Sequence, residues 1–230
     1  GIRHSYGTVG IHPRPSVSWI NEVNPYLELH YITNLKSALE TREGTVGLGM
    51  DFRDGSQLTL SLADRFEAID EAFLVAGEGE VARGRYDFSE GRIRYQSNAA
   101  RSLSGEVSVT GGGFYDGDRR SYTVGGNWRP SRFVGLDLRV QRNEIHLPDH
   151  TFNADVLGAR LDLAASTRLF LSAFLQYNAS SDETVTNVRF NFIHSPLSDL
   201  FLVYSERRGG ESDGVLERSF AIKATKLFSF

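Results

Sequence analysis

The 230-residue chain has no cysteine and a single methionine. Without cysteine there is no disulfide framework, no thiol nucleophile and no thiolate metal site. Lysine is scarce as well: Lys36, Lys223 and Lys226 stand alone, and arginine carries the rest of the positive charge. The formal net charge is -4 and no basic cluster occurs, so the footprint of a nucleic-acid partner is missing. No run of 18 apolar residues exists to make a transmembrane helix. The opening GIRHSYGTVG lacks the charged-then-apolar order of a signal peptide. No Gly-x-Ser-x-Gly elbow is present. The GGG at 111–113 precedes no helical pattern, so it reads as a bend in a strand rather than a phosphate loop. Helical periodicity is rare too. LADRFEAIDEAFLVA, residues 62–76, is the best helix candidate, and the chain is expected to hold no helix beyond about three turns.

Period-2 alternation fills the space left by helices. Leu58, Leu60 and Leu62 alternate with Gln57, Thr59 and Ser61. Leu136, Leu138 and Val140 alternate with Asp137, Arg139 and Gln141, and Val188, Phe190 and Phe192 with Asn187, Arg189 and Asn191. Leu169, Leu171 and Leu175 head a further apolar row. The pattern predicts strands over 3–11, 24–33, 42–52, 56–63, 90–98, 102–112, 118–129, 134–144, 151–163, 167–178, 184–194, 199–208 and 216–230. At about ten residues each, such strands match the length that a tilted strand needs to cross a bilayer.

The expected fold is all-β: an antiparallel transmembrane β-barrel with about 12–14 strands present, part of a 14–16-stranded barrel. RDGS, NAAR, RPSRF, AAST and SPLS read as tight turns, whereas TNLKSALETR, the 64–89 insertion, FYDGDR, EIHLPDHT, SSDE and RRGGESDG read as longer loops. With the carboxyl terminus in the periplasm, every short turn falls on the periplasmic side, the usual asymmetry of outer-membrane barrels. The same alternation also builds soluble sandwiches and barrels. Two features favour lipid: the apolar registers are nearly free of charge, and Tyr95, Tyr122, Trp128, Tyr177, Tyr204, Phe228 and Phe230 gather near strand ends, where headgroup girdles lie. The final strand, SFAIKATKLFSF, aligns Phe220, Ile222, Phe228 and Phe230 in one register and resembles the signal read by the bacterial outer-membrane assembly machinery. Lys226 interrupts that register, at a depth where its side chain can snorkel to headgroups.

GGFYDGDR, LPDHTF, FLQYN, NVRFNFIHSPLSDLFLVYSERR and the terminal LFSF together resemble a family of uncharacterised bacterial outer-membrane barrels. In full-length members the barrel follows a periplasmic domain similar to family-9 carbohydrate-binding modules. The resemblance covers nearly the whole chain. It implies that residues 1–230 are the carboxyl-terminal barrel portion, with an amino-terminal domain and first strands outside it. It implies integral outer-membrane localisation and no particular substrate.

Candidate chemistry concentrates on the polar register. Glu28, Asp51, Arg92, Arg94, Glu106, Asp137, Arg139, Arg160, Asp162, Arg189 and Lys223 are expected to line a lumen, together with His30. Either they border an aqueous conduit biased toward anionic or hydroxyl-rich solutes, or arginines and acids pair across the lumen and plug it. EIHLPDH supplies the one weak metal candidate, His146, Asp149 and His150, at a spacing that Pro148 makes unlike a known motif. No cofactor motif and no catalytic set is read. Three functions follow in order: a conduit or uptake component for small or glycan-derived solutes, a membrane anchor or interaction scaffold for a carbohydrate-binding domain, and an outer-membrane hydrolase. The expected partners are outer-membrane lipid, the assembly machinery and a glycan-derived solute.

Overall fold

In the computed structural model, which describes residues 1–209 and 214–227, the alternating segments become strands and no described residue is helical. The strands are β1 (Ile2–Gly10), β2 (Ile20–Asn34), β3 (Leu39–Phe52), β4 (Gln57–Ile69), β5 (Phe73–Val75), β6 (Gly79–Val81), β7 (Gly84–Gln96) and β8 (Leu103–Phe114). They continue with β9 (Gly117–Ser131), β10 (Val134–His146), β11 (Thr151–Ser166), β12 (Leu169–Asn178), β13 (Glu183–Ser195), β14 (Ser198–Gly209) and β15 (Gly214–Thr225). Thirteen form one sheet in the order β1-β2-β3-β4-β7-β8-β9-β10-β11-β12-β13-β14-β15, and β5-β6 is a separate hairpin. Among the described residues β1 pairs with β2 alone and β15 with β14 alone.

Contacts cluster into two compact units. The first holds 1–99, 105–124 and 142–154, and the second holds 100–104, 125–141 and 155–230. In the first, pairing sets Leu27 beside Val46, Val46 beside Leu62, Leu60 beside Ile93 and Ile93 beside Val109. In the second, Leu163, Leu171, Phe190, Leu202 and Ile222 form one unbroken cross-strand row. Side chains alternate along a strand, so each unit has one apolar and one polar face. The apolar face is not buried: Leu62 is 70% exposed, and Ile93 and Ile222 are 57% and 63% exposed. The chain leaves 14962 Å² accessible, whereas a packed soluble protein of its mass would leave about 10,400 Å².

Several sequence expectations need correction. The 64–89 segment is not one long loop: it holds the end of β4, the β5-β6 hairpin and the start of β7, and the helix candidate at 62–76 forms no helix. Arg65, Glu67 and Ile69 alternate with Phe66 and Ala68, and β4 has ladder partners on both sides out to Glu67 and on the β7 side out to Ile69, so the sheet overrides the helical spacing. The charged stretch GEGEVARGRYDFSEGR, which lies largely within that segment, contributes β6 and most of β7. Four connections expected to be long are tight, over 35–38, 115–116, 147–150 and 179–182. Asn34 Oδ1 accepts the backbone N–H of Lys36 and of Ala38, both at 3.0 Å, and closes a four-residue turn before β3. FYDGDR reduces to a two-residue turn in which Tyr115 takes φ 55°. The apolar face also carries charge at its loop-side ends: Arg42 meets Asp64 at 3.0 Å and Asp87 at 3.4 Å, and Arg218 meets Glu206 at 2.6 Å. The last strand ends at Thr225, with Lys226 beyond it, and Phe228 and Phe230 lie outside the described residues. The glycine triplet is strand, and its middle member is obligatory: Gly112 has φ 154°, and a Cβ there would stand 2.3 Å from the Ser89 carbonyl oxygen.

Among the described residues the β5-β6 hairpin makes the one cluster of buried apolar side chains, all within the first unit. Val81 is 0% exposed and packs with Ile145, Leu147 and Phe152. Ile69, Val75, Tyr86, Phe114 and Tyr115 close around them. Ile69 shares a register with Arg65, and Tyr86 with Glu90, so the hairpin folds onto the polar face of that unit rather than outward. Val81→Asp would place an unpaired carboxylate in this cluster at a cost of roughly 3 kcal/mol. The expected outcome is rapid tryptic cleavage at Arg83 with the far-UV strand signal retained, and limited proteolysis followed by mass spectrometry checks it.

Candidate functional site

The polar face of the first unit is a ladder of ion pairs built on small residues. Cross-strand rows put Glu28 level with Thr45, Ala63 and Glu90, and Thr59 level with Arg94 and Ser108. The small side chains beneath leave room for long ones to lie across the sheet. Arg94 reaches Glu106 at 2.5 Å, and Arg92 Nε donates to Ser108 at 3.3 Å. Nearer the hairpin, Glu90 accepts from Arg65 at 3.0 Å and from Arg119 at 2.7 Å, and Arg65 also meets Glu43 at 3.5 Å. Asp51 accepts from Asn24 at 3.2 Å and from Gln57 at 2.8 Å. Glu28 contacts His30 at 2.7 Å, and His30 stacks on His4 with ring centroids 5.5 Å apart.

Tyr115 ties this ladder to the hairpin from the β8-β9 turn. Its ring packs edge-on against Phe73 and Tyr86, and its hydroxyl donates to Glu67 at 3.0 Å. Burial, then the charge of Glu67 and the hydrogen bond to it, push the phenol up to about 12. The neutral phenol is therefore the folded-state form. Its contribution is complete below the usual tyrosine value near 10 and is lost as pH rises through about 12.

The second unit has a polar face of its own, built on the same alternation. Asp137 is held by the Asn127 amide. Asp162 accepts from Arg160 Nε at 3.0 Å and from Ser172 Oγ at 2.6 Å. Arg139 lies on this register, and Lys223 stands beside Phe201. Around Asp162 the strand ends β9 to β14 border a cavity of about 480 Å³. Arg129, Arg132 and Arg189 supply its positive charge, and Phe170 and Phe201 supply its apolar wall. RPSRF, expected to be a plain turn, thus brings two arginines into a lined cavity. Arg129 lies near the end of β9 and Arg132 in the turn itself, and Arg189 is about 60 positions away in sequence, so no local motif marks the site.

The metal candidates do not assemble. His146 Nδ1 lies 3.3 Å from Asp118, and His150 Nε2 lies 3.5 Å from Glu78. Two different acids therefore engage the two imidazoles, and among the described residues no group of three such side chains is placed to hold a metal ion. Residues that the sequence reading missed are Glu43, Arg65, Glu90 and Arg119. Each lies on the polar register at or just past an expected strand end, two positions from a residue already named or from its continuation, so extending the alternation would have found them. No family model matches the chain, and no curated protein is similar to it.

Burial ranks the ion pairs. The Glu90 side chain is 10% exposed between guanidiniums at 30% and 27%, whereas Asp64, which pairs with Arg42 on the other face, is 60% exposed. Glu90→Gln leaves Arg119 without its acid and Arg65 with Glu43 alone, and is expected to cost about 2 kcal/mol. Asp64→Asn is expected to change stability by no more than about 0.5 kcal/mol. Denaturant midpoints of the two variants check the order.

Proposed function

We propose that this chain is the strand-built, membrane-embedded part of a bacterial outer-membrane β-barrel that passes small or glycan-derived solutes. The observation that carries the reading is the exposed apolar face set against a charged opposite face. In a row such as Leu163, Leu171, Phe190, Leu202 and Ile222 no side chain is fully buried, and Ile222 is 63% exposed. In water such a row would be an aggregation surface; in lipid it is the required one. The charged loop-side ends of that face, Arg42 with Asp64 and Glu206 with Arg218, then meet headgroups rather than acyl chains. Phe220 and Ile222, 63% exposed each, remain available to the assembly machinery and then to lipid. The resemblance to outer-membrane barrels with a carbohydrate-binding domain agrees with this reading and supplies the glycan element of it.

The polar face would line the path, with the arginine–acid ladder setting its charge and the β5-β6 hairpin narrowing it. That narrowing supports a second reading, an anchor for a periplasmic domain in which ion pairs and hairpin leave no path. The hydrolase reading gains nothing from the 144–150 loop, whose histidines face Asp118 and Glu78.

Single-channel recording of the protein in planar bilayers tests the proposal. A conduit gives discrete conductance steps, a rise of at least about twofold on deleting Glu71–Ala82, and a shift toward cation selectivity in Arg139→Ala. Silence from both the intact protein and the hairpin deletion would overturn the conduit and leave the anchor.

A further inference from the structure

The cavity bounded by Arg129, Arg132 and Arg189 has more positive charge than the protein neutralises. Its one lining carboxylate, Asp162, is already taken by Arg160 and Ser172. Arg132 lies over the Phe133 ring, 4.8 Å from its centroid, and Arg189 has no ion pair among the described residues. Three guanidiniums around a single acid that Arg160 also holds repel one another, and a bound anion relieves that repulsion through paired N–H donors.

Two further observations narrow the anion. Asn191 lines the same cavity, and its Oδ1 is buried without a hydrogen-bond partner. A buried polar atom left unpaired is costly, and a hydroxyl satisfies either orientation of the amide because it both donates and accepts. Phe170 and Phe201 offer apolar faces that a bare inorganic anion would leave unused. A carboxylate, hydroxyls and a flat C–H face on one small molecule describe a sugar acid, and the cavity volume lies in the range of small-ligand sites. We propose that this cavity binds a hydroxylated organic anion of the sugar-acid class, with Arg189 on the carboxylate, Asn191 on a hydroxyl and the two phenylalanines against the ring. This extends the conduit reading by naming a substrate class, but it rests on one unit's polar face and holds whether or not the chain conducts.

The cavity floor provides a variant that leaves every charge in place. A Cβ at Gly135 would lie 3.9 Å from both Arg129 Cγ and Asp162 Cβ, ordinary contact distances, so Gly135→Leu can fill the space without moving the backbone. Calorimetric titration of the refolded protein with D-glucuronate, D-glucose and inorganic phosphate is the test, with far-UV circular dichroism as the folding check. Saturable glucuronate binding is expected, at least about tenfold tighter than that of glucose or phosphate. Arg189→Gln should weaken it at least about tenfold, and Gly135→Leu should abolish it. Absence of saturable glucuronate binding, equal binding of phosphate, or binding unchanged in Gly135→Leu overturns the proposal. If Arg189→Gln loses its strand signal, Gly135→Leu decides alone. Channel recordings play no part in this outcome, so failure here and failure of the conduit are separately visible.

Discussion

A strand has two faces, and in this protein one carries aliphatic rows and the other carries the ion pairs. Cross-strand pairing keeps aliphatic neighbours apart from charged ones in the central rows: Val46 beside Leu62 on one face, Ala63 beside Glu90 on the other. A one-residue slip in any strand would put an arginine among the leucines and a leucine among the ion pairs. Everything else depends on that register. The arginine ladder exists because neighbouring strands present acids level with the arginines or one polar position away, and the cavity in the second unit draws its polar residues from adjacent rungs of its strands.

The exception to this two-faced plan is the β5-β6 hairpin. It buries Val81, Ile145, Leu147 and Phe152 on the side where the rest of the first unit is charged. Tyr115 joins the two regimes, with its ring against Phe73 and Tyr86 and its hydroxyl on Glu67. This small apolar cluster holds its shape by burial, yet the hairpin is separate from the sheet and does not interrupt the ladder. The hairpin leaves β4 at Ile69 and the chain rejoins the sheet at Gly84, directly opposite, so the sheet closes beneath it with full pairing.

Strand number and position were legible because alternation is a local property. All thirteen sheet strands correspond one-to-one with expected segments, with ends displaced by a few residues in most cases. Legibility failed where two periodicities coexist. LADRFEAIDEAF carries apolar spacing for both helix and strand, and only the flanking ladders of β3 and β7 decide between them. It failed again at turns: Asn34 closes its turn through its own side chain, which shortens a stretch that looks like a loop by composition. The charged face was readable by parity, and the Arg94–Glu106 pair follows from it. The arginine cavity was not readable, since Arg129, Arg132 and Arg189 meet only through the pairing of the strands from β9 to β13.

The central claim is that the apolar face meets lipid. Tryptophan fluorescence in vesicles containing dibrominated phosphatidylcholine tests it most directly, in a background where both native tryptophans, Trp19 and Trp128, are replaced by phenylalanine. Leu62→Trp and Ser61→Trp are adjacent in sequence and opposite in face, with Leu62 beside Val46 and Ser61 beside Gly47. The account predicts strong quenching of the tryptophan at 62 and little at 61. Equal quenching at both positions, or a tryptophan at 62 that the brominated lipid never reaches, would contradict it.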